Sequence, residues 1–95
     1  MPMPELCFEW DATKNETNIA KHRISFPTVA RAMVEKPYLS LRSDRGGEER
    51  HVSIIEIQGK LFAVIHVQRG EAIRIISARR ARKDEEQQYR ALFAR

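Results

Sequence analysis

The sequence has little of what several protein classes require. It holds one cysteine, Cys7. No internal disulfide can form, a reducing compartment fits, and Cys7, so near the N-terminus, reads as inert rather than nucleophilic. No apolar run is long enough to span a membrane. The opening MPMPELCFEW carries prolines and acids where a secretory signal needs basic and then apolar residues, so a cytoplasmic protein is expected. Internal repeats, linkers and low-complexity segments are missing. The 95 residues therefore make a single domain, 1–95, with one modest core. His22, His51 and His66 are widely spaced, with no ligand-like Cys or Asp pattern beside them, so neither a metal nor a cofactor is expected. Gly46-Gly47, in the loop 44–49, lacks the spacing of a P-loop or a dinucleotide fingerprint and reads as a movable hairpin connection.

Positive charge is plentiful. The formal net charge is +4 and the pI about 9.6, which permits a nucleic-acid partner without requiring one. The charge gathers in residues 69–83, RGEAIRIISARRARK, where six Lys/Arg face one acid, Glu71. A β-branched run, Ile73-Arg74-Ile75-Ile76, leads into Arg79, Arg80, Arg82 and Lys83. A strand that delivers several guanidinium groups to one place is a candidate polyanion site, because the planar Arg fork binds phosphate bidentately and keeps its charge. Strict alternation puts Arg74, Ile76, Ala78 and Arg80 on one face and Ile73, Ile75, Ser77 and Arg79 on the other. The second set has the denser β-branched group and is expected to face the core.

Along the chain, residues 6–10 (LCFEW) form a short strand closed by Asp11, a good helix N-cap. Residues 12–22 are helix-compatible, with a narrow apolar stripe and Lys21 and His22 in the last turn. Ser25 caps a second helix in which Phe26, Val29, Ala30 and Met33 form a core stripe, and Pro37 stops it. The period then changes to two. Residues 38–42, 50–57 and 61–68 read as strands, with tight turns at Gln58-Gly59-Lys60 and Arg69-Gly70-Glu71. The run LFAVIHV in the third of these marks a central strand. A helix from residue 82 to 95 ends the chain, with acids in its early turns and Tyr89, Leu92 and Phe93 as its large apolar residues. Tyr89 is expected in the core. The expected class is α+β, in the order β-α-α-β-β-β-β-α, with an antiparallel sheet carrying helices mainly on one face.

This order of motifs resembles the BrnT family of bacterial toxins. Phe8-Glu9-Trp10-Asp11 followed by Lys14, Asn18, Lys21 and His22 matches that family's opening, FEWD-x-x-K-x-x-x-N-x-x-K-H. Ser25-Phe26 with Ala30, Glu48-Glu49-Arg50, Arg69-Gly70, and Arg74-Ile75-Ile76-Ser77-Ala78-Arg79 match in turn, as do Glu85 and Tyr89 in the last helix. Arg23 stands where the family usually has glycine, and His51 and His66 where aromatic residues are commoner. The resemblance implies a RelE-like fold and ribosome-independent cleavage of RNA. It also implies neutralisation by a ribbon-helix-helix (BrnA-like) antitoxin, with operator DNA reached through that antitoxin.

RNA cleavage without metal uses the 2′-hydroxyl as nucleophile on the adjacent phosphate, and cations must stabilise the added charge. Arg50, Arg69 and Arg79 are the first candidates, because each lies at or near a strand end and matches the family pattern. Arg74 and Arg80 are second choices by parity. Lys21 and His22 are placed to reach RNA from the first helix, and Glu49 or His51 are the general-base candidates. The rival expectation is a non-catalytic basic module that grips RNA or only its antitoxin. Direct DNA binding ranks lower, since no helix is strongly basic along one face.

Overall fold

The computed structural model describes residues 7–43 and 49–93. The elements run β1 (Cys7–Glu9), α1 (Ala12–His22), α2 (Phe26–Glu35), β2 (Leu39–Ser43), β3 (Arg50–Ile57), β4 (Lys60–Arg69), β5 (Ala72–Arg80) and α3 (Lys83–Phe93), the order read from the sequence. Residues 44–48 of the Gly-rich loop, Leu6 and the final two residues lie outside the described residues.

Local chemistry explains most boundaries. The Asp11 carboxylate accepts the Lys14 N–H at 2.9 Å and opens α1. Arg23 closes it in the left-handed region at φ 60°, the conformation a glycine adopts there without strain. Ser25 Oγ accepts the Thr28 N–H at 3.3 Å to open α2, with Pro27 in its first turn. Gln58 and Gly59 both have positive φ, 55° and 79°, which matches the twist of a two-residue hairpin between β3 and β4.

The strands form one sheet in the order β1-β5-β4-β3-β2. β2 to β5 are an antiparallel meander. β1 instead runs parallel to β5, so the sheet is mixed. A parallel pair needs a long connection, and everything between the two strands supplies it. A three-residue strand carries no sequence signal of its partner or direction.

α2 covers one face. Its Phe26, Val29 and Met33 pack with Ile55, Ile57, Phe62, Val64, Ile75 and Ala78. α3 lies on the opposite face against β2 and β3. α1 runs along the β5 edge, where its only buried residue, Asn18, is held. Asn18 Nδ2 donates to the Ala78 carbonyl at 2.9 Å and to that of Ile24 at 3.1 Å, and its Oδ1 accepts the Ala78 N–H at 3.1 Å. β1 pairs β5 only as far as Arg74, so the Asn18 amide takes over as a one-residue edge strand. The helices are thus spread over two faces and an edge rather than gathered mainly on one. The narrow stripe of α1, with Ile19 left 41% exposed, has too little apolar surface to claim a face.

One irregularity decides the site. Ile65 pairs with Ser77 and His66 with Ile75, so Ile76 is an extra, bulged residue. Residues directly opposite each other in a ladder share a face. Ile73, Ile75, Ala78 and Arg80 therefore face α2, while Arg74, Ser77 and Arg79 face the α3 side. This corrects the face assignment of strict alternation, which grouped Arg74 with Arg80 and turned Arg79 toward the core.

Candidate functional site

The bulge gathers the arginines. Arg50 opens β3 opposite Ser43 and Val67, and Val67 in turn opposes Arg74. Arg69, two residues beyond Val67 on β4, and Arg79, opposite Ala63, share that face. Four strand arginines thus emerge on the side that α3 only partly covers. Between the sheet and the start of α3 lies a cavity of about 460 Å³, lined by Ser43, Arg50, Val52, Ile65, Ile76, Ser77, Arg79, Arg82 and Glu85.

Its far wall is one ion pair. Arg79 Nη1 and Nη2 donate to Glu85 Oε1 and Oε2, both at 2.9 Å. The Arg82 N–H adds a third bond to Oε1 at 2.8 Å, and Arg79 Nη1 also donates to the Arg80 carbonyl at 3.2 Å. Glu85 is 8% exposed. The Arg79 hydrogen bonds hold its carboxyl below the usual glutamate range against the opposing effect of burial, helped by the Arg82 N–H. The same hydrogen bonds raise the Arg79 pKa above its ordinary value. Arg50 differs: its Nε is buried and has no hydrogen-bond partner among the described residues. Arg74 is tied sideways to β1, its Nη1 donating to Glu9 Oε2 at 2.8 Å.

The other predicted residues go elsewhere. His51 pairs with His66 on the α2 face, where the rings stack at 5.6 Å and 15°. His66 Nε2 lies 2.7 Å from Ser53 Oγ, and burial, then the neighbouring His51, lower the His66 pKa to about 4. Glu49 Oε1 lies 3.5 Å from His51 Nε2 and 3.8 Å from Arg42 Nε. Glu49 and His51 therefore meet each other and do not line the arginine cavity. Arg80 sits 5.8 Å from the centre of the Phe62 ring, on the α2 side. Lys21 and His22 end α1, away from the cavity lining. Sequence reasoning gave no site role to Ser43, Ser77 or Glu85, and named Arg82 only as part of the basic cluster. For Glu85 a signal existed: an acid in the first helical turn, two residues after the basic cluster.

Three guanidinium groups, two serine hydroxyls and no carboxylate other than an ion-paired one suit a phosphodiester. Among the described residues, no three His, Cys, Asp or Glu side chains converge as metal ligands. No helix among them is long and apolar enough to cross a membrane. A small basic α+β domain with an arginine-lined cavity on its sheet defines the class: a protein that handles polyanions. Within that class, a family model described as the ribonuclease toxin BrnT of type II toxin–antitoxin systems matches residues 10–85. The chain belongs to that family of ribonuclease toxins, so RNA is its target and an antitoxin its partner. Comparison with curated proteins gave no match.

Proposed function

We propose that the protein is a metal-independent endoribonuclease of RelE-like type that holds the scissile phosphate in the cavity between β3, β5 and α3. The 2′-hydroxyl gives its proton to solvent as its oxygen attacks the adjacent phosphorus, and the bond to the 5′-oxygen breaks as that oxygen takes a proton from solvent, leaving a 2′,3′-cyclic phosphate and a 5′-hydroxyl. The phosphoryl oxygens gain negative charge on the way, and the arginines stabilise it. The buried, unpartnered Nε of Arg50 carries this proposal. A buried donor without a partner costs about 1–3 kcal/mol, which a phosphate oxygen would offset when bound. Arg79 and Arg82 line the same cavity, and Arg69 and Arg74 extend the positive face beyond it. Cleavage of cytoplasmic RNA blocks translation, and a ribbon-helix-helix antitoxin restrains it and links the pair to operator DNA.

Purified protein with labelled RNA in excess chelator tests the chemistry. Cleavage to cyclic-phosphate ends is expected, with a single 2′-deoxy substitution protecting its own site. RNA left intact across buffers, or cleavage abolished by chelator, would falsify the mechanism. One observation favours a second reading, a non-catalytic RNA-binding module. Among the described residues the only carboxylate lining the cavity is ion-paired, and the Glu49–His51 pair lies apart from it. In the same assay that module retains RNA without cutting it.

A further inference from the structure

Glu85 is an unexpected occupant of an anion cavity. A carboxylate repels the phosphate the site would bind, and this chain has a net charge of +4 to choose from. Its geometry excludes one usual role of a carboxylate and only partly accounts for it by another. As a general base it would need an accessible oxygen, yet three hydrogen bonds hold its two oxygens and it is buried. As a cap for α3 it makes the Arg82 bond, the back-bond of a capping box, but that uses one oxygen and leaves the bidentate grip on Arg79 unexplained.

What remains is the grip on Arg79. A guanidinium has three donor edges. Glu85 takes the end-on edge, one hydrogen from each of Nη1 and Nη2, and the Arg80 carbonyl takes the other hydrogen of Nη1. Left without a partner among the described residues is the side-on edge, Nε–H together with the second Nη2–H. That edge is a ready bidentate fork for the two non-bridging oxygens of a phosphodiester. A long Arg side chain free to rotate would present it only part of the time.

We infer that Glu85 is a positioning residue, which locks Arg79 by its outer edge so that the side-on edge addresses the phosphate in the cavity. The inference rests on the cavity being the phosphate site. Glu85 works through Arg79 and touches no substrate. It gives up some ground-state attraction for RNA in return for a fixed donor pair in the transition state.

Three variants test this: Glu85→Gln, Arg79→Lys and the double variant, with Arg50→Ala as control. Each is measured for kcat, KM, thermal midpoint and Kd for an all-2′-deoxy oligonucleotide that cannot be cleaved. Gln turns an amide donor toward Nη2 and removes the negative charge. Glu85→Gln is therefore expected to lower kcat more than tenfold while Kd for the deoxy ligand stays equal or tightens. Arg79→Lys keeps the charge and loses the fork, with a similar loss of kcat. The double variant is expected to lose no more than the worse single one, because both remove the same fork. Wild-type kcat in Glu85→Gln, or losses that multiply in the double variant, overturns the inference. So does a lower thermal midpoint accompanied by a weaker Kd in Glu85→Gln, the signature of a merely structural carboxylate. If Arg50→Ala binds and cleaves like wild type, the cavity itself has been misassigned. If Arg50→Ala alone is impaired, the cavity stands and only the role of Glu85 falls.

Discussion

The bare Nε of Arg50 separates stability from activity. Folding gains nothing from a buried donor that meets no acceptor, so its removal should not weaken the fold. Arg50→Ala is expected to leave the thermal midpoint unchanged or slightly raised while cleavage falls about 10²–10³-fold, the usual loss for one transition-state donor. Parallel melting and cleavage assays check both halves, and a large fall in the midpoint would mean that Arg50 is structural. His66 gives a pH prediction. Its folded pKa of about 4 lies below its ordinary 6.5, so the unfolded chain binds the proton more readily. The associated stability is complete above about pH 6.5 and is lost as pH falls toward 4, by about 3 kcal/mol in total. Glu85, whose pKa is also pushed down, loses its contribution only as pH falls below the usual glutamate range. Urea midpoints between pH 7 and 4 should therefore slope in wild type and flatten in His66→Phe. At this scale the sequence was half legible. Arg50 and Arg79 could be picked out as basic residues near strand ends. The Glu85–Arg79 pair spans the β5–α3 connection and could not be, because spacing says nothing of how a strand hands over to a helix.

Caps, stripes and Gly turns made the elements readable, and their order followed. The direction of β1 and the placement of the helices did not, since both are settled by which edge and which face remain uncovered once the meander forms. The face of each β5 arginine failed for a sharper reason. Ile76 is one more β-branched residue in a run of them, and nothing in its identity marks it as the extra one. Asn18 is the clearest anchor at this scale. Replacing it by Ala strips partners from both backbone groups of Ala78, and destabilisation of about 2–4 kcal/mol is expected in chemical denaturation. A loss below 1 kcal/mol would show that water serves that edge equally well. Arg23 works the other way. Its positive φ suits glycine, so Arg23→Gly should stabilise by about 0.5–1 kcal/mol, read as a shift in midpoint without a change in slope.

For the whole molecule, the sheet acts as a partition. The stacked histidines and α2 occupy one side, the arginine cavity and α3 the other. An acidic partner is steered by the basic side from a distance, whereas contacts sealed from water feel salt little. With the proposed antitoxin, the association rate should fall with ionic strength while the assembled complex survives. Leu92 is 55% exposed on α3 beside the tilted Tyr89–Phe93 pair, so Leu92→Glu should weaken that complex if this patch is part of the interface. Co-expression with the neighbouring small protein, then size-exclusion chromatography in high salt, reads the outcome. Separate elution at every salt concentration would remove the antitoxin from the account.

The clamp on Arg79 also sets a clock. Ribosomes deliver Arg50 and Arg79 with the sheet, but Glu85 follows every strand and works only once α3 has docked against β2 and β3. With Glu85 in the role assigned above, a chain caught midway through synthesis holds its arginines unclamped. The donor pair is then complete only once α3 has settled on the sheet, so a helix rather than any strand finishes the site.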